Sequence, residues 1–284
     1  MTNRIQQATA ACIVFVVLLS ALTNHAVNAF SLSMVATGSV GTRGLRVPSA
    51  PSTGVSSSII SHLAETALKR RLRDQSGVTC DVTANSGDML FKGKVGPVTV
   101  KGKGWQSPLG LTCRALEATV DTCELDMGRV LSSQKLVLTR PAQGTAMVAL
   151  NGKDFGTFLT HPLLRQNAPC LQEGGECVEF LRDGASINPQ SKSVVFFGKY
   201  EGETYKCTLQ RGGKQQKALI TVESQSPELE STATRLSSAI SDFFNEMLFE
   251  LDGTFLSFRD MMVTGKGVDP CVMLALQITV KKFP

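Results

Sequence analysis

The chain has 284 residues, with 29 Lys and Arg against 24 Asp and Glu, which gives a formal net charge of +5. Three of the basic residues precede Glu65, the first acidic one, so 26 basic and 24 acidic residues remain from there onward, a balance that excludes a nucleic-acid-binding protein. A hydrophobic content of 42% excludes a disordered chain, and the lack of repeated long apolar runs excludes a polytopic membrane protein.

The first apolar run is typical of a secretory signal peptide. Residues 8–22 carry no charge and follow Arg4. A membrane-spanning helix needs about 20 apolar residues, and this run is shorter. Small residues around Ala29 suit cleavage after that position, so we expect a signal peptide over residues 1–29. The alternative is an uncleaved membrane anchor.

The next segment has the composition of a transit peptide. Residues 30–58 contain eleven Ser and Thr, two Arg and no acid. Phe30 directly after the expected cleavage site resembles the bipartite plastid presequence of algae with secondary plastids. We therefore expect a disordered transit peptide over 30–58 and a plastid location. The alternative is a protein of the secretory pathway, secreted or in an endomembrane lumen, with a Ser-rich start.

Residues 59–73 are predicted to form an amphipathic helix, because apolar residues recur at i, i+4 spacing. Cations crowd its C-terminal end, where the helix dipole favours them. They are either a solvated helix end or a contact for anionic lipid headgroups. The cations are Lys69, Arg70, Arg71 and Arg73.

Short apolar and β-branched runs between turn residues predict strands from Gly77 onward. The runs lie at 78–82, 98–100, 136–138, 147–150, 194–197, 219–222 and 272–280. Most successive runs have no helix between them, which favours antiparallel pairing. A second amphipathic helix is predicted over 229–251, where Asp252-Gly253 ends it. The fold class is therefore α+β.

Two of these runs, 194–197 and 272–276, are apolar on both faces of the strand. Each must cover a core on one side and meet a second apolar body on the other. That body is either a packed helix or a ligand with acyl chains. The sequence leaves both interpretations open.

Catalytic and metal-binding patterns are missing from the sequence. It contains no nucleophile elbow, no phosphate-binding Gly-Lys-Ser/Thr loop and no cluster of metal ligands, so we expect no enzyme activity, no metal and no cofactor. His161, which precedes Pro162, is interpreted as a turn residue rather than a general base. Cys170 and Cys177 could close a small disulfide, but we interpret them as unpaired thiols.

An ordered series of short motifs between Asp88 and Leu164 resembles the LmeA-like phospholipid-binding family. The motifs are Met89–Gly93, Val98–Val100, Gly104–Leu111, Leu125-Asp126, Leu136–Leu138, Pro141 with Gly144–Ala146, and Asp154–Leu163. The resemblance implies a long curved antiparallel sheet wrapped around one or two helices, similar to tubular lipid-binding (TULIP) domains. It also implies one lipid-binding domain over 59–284. The sequence near 166–190 departs from the family pattern, and we expect a loop insertion there.

The function implied by the resemblance is non-enzymatic binding or transfer of a phospholipid or glycolipid through an apolar groove, with peripheral membrane contact. The alternative is a scaffold protein of plastid membranes that uses its apolar faces for partners. The expected lipid-binding residues are Trp105, Leu111, Phe155, Phe158, Leu159, Phe196, Phe244 and Leu248. The expected headgroup or membrane contacts are Lys69, Arg70, Arg71, Arg73, Lys101 and Lys103, together with Arg114 at the groove rim.

Overall fold

Antiparallel strands make up most of the structure, a computed structural model. It describes residues 61–62, 65–66, 68–70, 72–83, 88, 92–107, 110–126, 128–129, 137–172, 175–213, 217–251, 254–265 and 269–281. The expected signal peptide, the expected transit peptide and Arg71 lie outside these residues. Among the residues described, no helix is both long and apolar enough to cross a membrane.

The strands and helices follow one another along the chain in a mostly β order. They are β1 (Gly77–Val82), β2 (Lys94–Val95), β3 (Val98–Gln106), β4 (Thr112–Val120), β5 (Cys123–Glu124), β6 (Ala142–Leu150), α1 (Gly152–Leu159), α2 (Pro162–Arg165), β7 (Glu179–Phe180), β8 (Ser186–Asn188), β9 (Ser193–Tyr200), β10 (Glu203–Gly212), β11 (Lys217–Glu223), α3 (Glu230–Glu246), β12 (Leu248–Leu251), β13 (Thr254–Thr264) and β14 (Cys271–Val280).

Two sheets organise these strands, and a third small one pairs β2 with β5. The large sheet has seven strands in the order β1-β3-β4-β6-β14-β13-β12, and the small sheet orders β11-β10-β9-β7, with β8 also paired to β9. Every pairing is antiparallel. The predicted α+β class with a long curved antiparallel sheet is confirmed.

Most of the predicted strands fall inside observed ones, but the second predicted helix ends too late. That helix, α3, stops at Glu246, and Leu248–Leu251 forms β12, which pairs with the start of β13 as a hairpin. A short run of Leu and Phe suits either structure, and here the pairing with β13 decides it. Of the run at 136–138, only residues 137 and 138 are described, and Leu138 forms an isolated bridge with Leu125.

The interpretation of Cys170 and Cys177 as unpaired thiols is wrong, because the structure joins them in a disulfide. The two residues also form an antiparallel bridge at the base of their loop, which brings the thiols together. Farther along the expected insertion, β7 and β8 pair with β9, so this segment contributes to the small sheet.

Helix α3 lies along the outer edge of β11 and binds its free backbone groups. Four residues of helix rise about 6.0 Å and two residues of strand about 6.8 Å, so side chains at i, i+4 and i+8 can meet every second strand N–H. Oxygen atoms of three side chains accept these hydrogen bonds: Ser237 from Val222 N (2.9 Å), Ser241 from Ile220 N (2.9 Å) and Asn245 from Ala218 N (2.8 Å).

A second helix lies along the edge of β1 and binds its backbone N–H groups in the same way. The described residues between 61 and 70 are helical, as predicted, and we call them the basic helix. Ser61 Oγ accepts from Val82 N (3.1 Å), and Glu65 Oε1 accepts from Cys80 N (3.0 Å). Both helices therefore protect a sheet edge that would otherwise pair with other chains.

Removing the last of the α3 contacts should destabilise the small sheet. Asn245 binds Ala218 twice, accepting from its N–H and donating to its C=O (2.9 Å). We expect Asn245→Ala to lower the free energy of unfolding by about 1–3 kcal/mol, because it leaves two backbone groups unsatisfied. Urea denaturation measures this loss. Ser238→Ala, on the exposed side of the same helix, is the control and should change stability little.

The buried apolar side chains form two clusters. The first core contains Leu68 of the basic helix and side chains of β1, β3, β4, β6 and β14. The second core joins the small sheet to α1, α3 and the ends of β6, β13 and β14. A bidentate ion pair from Arg211 on β10 to Asp260 on β13, with N–O distances of 2.8 and 2.7 Å, also links the two sheets.

Candidate functional site

One face of the large sheet, which we call the inner face, is apolar across five neighbouring strands. Alternation along each strand and the cross-strand register bring the apolar side chains into rows. From β3 to β14 the rows are Gly102–Leu116–Val148–Leu274, Val100–Ala118–Ala146–Leu276 and Val98–Val120–Gly144–Ile278. The last two rows continue to Phe258 and Leu256 of β13.

Small residues occupy the middle of this face. Ala118 and Ala146 are directly opposite each other on β4 and β6, between larger side chains on β3 and β14. Larger side chains at these positions would fill the space above the sheet. The inner face is therefore hollow at its centre.

A cavity of about 200 Å³ lies over this hollow. A single water needs about 10–15 Å³ of such space, so the cavity can hold a much larger molecule. Its walls run along β4 from Thr112 to Val120, eight residue steps or about 27 Å of strand. The lining residues come from both cores: Leu72, Val98, Val100, Trp105, Ser107, Leu111, Thr112, Cys113, Leu116, Ala118, Val120, Ala146, Val148, Leu150, Phe158, His161, Leu164, Thr254, Leu256, Leu274, Leu276 and Ile278.

Two glycines place Trp105 in the cavity wall. Strict alternation would put its side chain on the outer face with Lys101 and Lys103, but Gly104 adopts a left-handed conformation with φ of +58° and interrupts the alternation of side chains along β3. The indole lies over Gly102, where a Cβ atom would be 1.9 Å from the indole nitrogen. The indole N–H donates to the carbonyl of Gly77 (3.3 Å).

The cavity has a polar end where β4 begins. Ser107 and Leu111 close a turn, in which Ser107 Oγ accepts from Leu111 N (3.0 Å). Thr112 follows, and its hydroxyl donates to Asp154 of α1. The Asn151 side chain caps α1 by accepting from Asp154 N (2.8 Å), which fixes the carboxylate behind Thr112.

His161 and Cys113 are the titratable groups on the described part of the wall. His161 is buried between α1 and α2, and burial lowers the pKa of its imidazole, so it is neutral near pH 7. Burial raises the pKa of the Cys113 thiol to about 11, and the nearby Asp154 adds to the effect. A protonated thiol is a poor nucleophile. Near neutral pH these two groups are therefore uncharged, and the described wall is predominantly apolar.

The eight expected lipid-binding residues separate into three groups. Trp105, Leu111 and Phe158 line the cavity. Four others are packed in the second core, with at most 1% of their surface exposed, and Leu248 of β12 is 55% exposed. The four core residues are Phe155, Leu159, Phe196 and Phe244.

The expected headgroup contacts that the structure describes are not among the residues that line the cavity. Lys101 and Lys103 are exposed on the outer face of β3, and Lys101 is paired with Glu117 (2.9 Å). On the basic helix, Lys69 is 4.0 Å from Glu65, and Arg70 is exposed. Two further arginines are also exposed: Arg73, and Arg114 in an ion pair with Asp269.

The residues that sequence reasoning missed are mainly those of the inner face. Val98 and Val100 lay in a predicted strand, but choosing their face requires the register of the whole sheet. Helix α1, which carries Phe158 to the cavity, was also missed. Its signal was available, since Asn151 and Asp154 form a capping box that precedes an apolar run.

A comparison with known families adds to this geometry. A family model described as LmeA-like phospholipid-binding matches residues 55–269, which is most of the chain. No curated protein and no solved structure gives a significant match.

Proposed function

We propose that this chain, which belongs to the LmeA-like phospholipid-binding family, binds a glycerolipid and transfers the intact lipid between membranes. The acyl chains of the lipid would lie against the inner face of the large sheet. The apolar cavity carries this proposal. The family is one of phospholipid-binding domains rather than a known enzyme family, and we propose binding without catalysis.

The dimensions of the cavity support an acyl chain as its occupant. The hydrocarbon core of a bilayer is about 30 Å thick and holds two leaflets, so one acyl chain extends about 15 Å. The apolar track along β4 is longer than that. Each buried methylene contributes about 0.8 kcal/mol, so ten of them supply about 8 kcal/mol toward binding. Trp105, Leu111 and Phe158 are the proposed contacts among the residues singled out from the sequence.

The single tryptophan of the chain makes this proposal measurable. Trp105 lines the cavity, so an acyl chain there lies against the indole. We expect a phospholipid with brominated acyl chains to quench the fluorescence of Trp105, because bromine quenches only at close range. The same lipid without bromine should shift the emission without quenching it. Equal emission with both lipids, at a concentration that saturates binding, would contradict the proposal.

Peripheral membrane contact is the second part of the proposed function. Arg70 is exposed at the end of the basic helix and Arg73 is exposed just after it, and Leu72, which lies between these two residues in the chain, lines the cavity. Cations near an anionic surface contribute about 1 kcal/mol each. Their position beside a cavity residue supports delivery of lipid at this end. Phospholipid and glycolipid are both proposed as cargo.

A scaffold role in plastid membranes is the second candidate function, favoured by one observation. The outer face of the large sheet and β12 expose large apolar side chains, including Leu248 and Met262, which is 51% exposed. Such side chains can bind a protein partner. A stable complex with another protein, purified with an empty cavity, would favour this role over lipid transfer.

We also propose that the protein acts in a plastid, on the composition of residues 1–58. A fluorescent protein fused to residues 1–58 should accumulate in the plastid of an alga with secondary plastids. The matched fusion to residues 1–29 alone should enter the secretory pathway and stop there. Secretion of the longer fusion would contradict the plastid location and favour the secretory one.

A further inference from the structure

The described lining residues at the polar end of the cavity offer hydrogen-bonding groups and no positive charge. None of the described lining residues is Lys or Arg. Arg114, the neighbour of Cys113 in the chain, forms an ion pair with Asp269. The polar side chains that the hydrogen bonds place at this end are those of Ser107 and Thr112, and a phosphate bound between them would meet no cation among the described lining residues.

The carboxyl group of Asp154 gives this end a negative character. It is buried, and both of its oxygens accept hydrogen bonds, one from the Thr112 hydroxyl and one from Asn151 N (3.3 Å). Accepting at both oxygens is the pattern of an ionised carboxylate. Any anion bound to Thr112 would therefore face a like charge directly behind that residue.

The two hydroxyl groups differ in what they offer a ligand. The Thr112 hydroxyl donates its hydrogen bond to Asp154, so it can only accept a hydrogen bond from a ligand. Ser107 Oγ accepts from Leu111 N and keeps its own proton for the ligand. A hydroxyl group, which both donates and accepts, satisfies the pair. A phosphate ester, which only accepts, satisfies Ser107 alone.

We propose that the polar end of the cavity takes the uncharged, hydroxyl-bearing head of a glycerolipid and keeps an anionic phosphate outside. This inference rests on the proposed function and adds to it a preference among lipids with the same acyl chains. Phospholipids then bind through their acyl chains with the phosphate in solvent, and a lipid such as diacylglycerol binds with its head inside.

Diacylglycerol and phosphatidic acid with identical acyl chains test this preference, because they differ only by the phosphate. Each competes with a fluorescent-acyl phospholipid for the purified full-length chain. We expect diacylglycerol to compete at about tenfold lower concentration, as the loss of one satisfied hydrogen bond and a like-charge contact predict. Equal competition, or better competition by phosphatidic acid, would overturn the inference while leaving the proposed function intact.

Two substitutions identify the groups responsible. In Asp154→Asn the amide can donate to Thr112 and free its proton for a phosphate, so the tenfold preference should fall to about twofold or less. Thr112→Val removes the hydrogen-bond acceptor and keeps the shape of the side chain, so it should weaken the binding of diacylglycerol and leave that of phosphatidic acid unchanged. The control is Glu117→Gln, which removes one negative charge from the exposed outer face of β4 and should change the binding of neither lipid. An unchanged preference in both cavity variants would overturn the inference, and competition by neither lipid would contradict the proposed function as well.

Discussion

Filling the hollow of the inner face should abolish lipid binding in a protein that still folds. We expect the double variant Ala118→Phe/Ala146→Phe to bind at least about a hundredfold less phospholipid, because two phenyl rings then occupy the space of several methylenes worth about 0.8 kcal/mol each. Overpacking costs typically 1–3 kcal/mol, which the empty space around both alanines reduces. Lipid bound per chain after incubation with vesicles measures the effect.

The control for this variant is Ala275→Phe. Ala275 lies on β14 between two cavity residues, Leu274 and Leu276, so its side chain points to the outer face. It introduces the same ring on the same sheet, and lipid binding should stay at the level of the original chain. If Ala275→Phe loses binding as completely as the double variant, the cavity is not the binding site.

Truncating Phe196 should have the opposite consequences: a large loss of stability and little change in lipid binding. Phe196 is fully buried in the second core and contacts three other rings, those of Phe155, Phe180 and Phe244, at centroid distances of 5.8–6.1 Å. Phe to Ala in such a position costs about 3–5 kcal/mol, because the cavity left behind cannot close completely. Chemical denaturation measures this loss.

Phe158→Ala is the matched comparison. Phe158 is half-buried and lines the cavity, so its removal should cost less stability and weaken lipid binding about tenfold. The phospholipid bound by folded Phe196→Ala should match that of the original chain. A folded Phe196→Ala protein that has lost its lipid would show that the second core belongs to the binding site.

Local pattern was enough to predict much of the sheet but not which side chains face its cavity. The runs at 78–82, 98–100 and 272–280 alternate or are rich in β-branched residues, and all three form strands. The face of the sheet on which a side chain lies depends on the register of its strand, and register depends on pairings between residues far apart in the chain. The rows that build the inner face join positions 98–102 to positions 274–278, a relation that the sequence does not display.

The phenylalanines illustrate why hydrophobicity alone does not distinguish cavity-lining residues from core residues. Phe196 and Phe244 are as apolar as any lining residue, but they fill the second core, while the cavity depends on small residues such as Ala118 and Ala146. A hollow is created by the side chains that are small, and composition does not reveal it. Trp105 lines the cavity, and its place there depends on the left-handed Gly104, which turns its side chain inward.

The strand at 248–251 shows a second limit of local pattern. Its residues continue the apolar period of α3, so the sequence predicts a longer helix. In the structure they pair with β13, and this tertiary contact outweighs the weak preference of four residues for a helix.

Native mass spectrometry of the full-length chain after incubation with phospholipid vesicles tests the central claim most directly. The account predicts a complex of one chain with one glycerolipid, which survives transfer to the gas phase and is missing from Ala118→Phe/Ala146→Phe. A bare chain at every vesicle concentration, from protein shown to be folded, would contradict it.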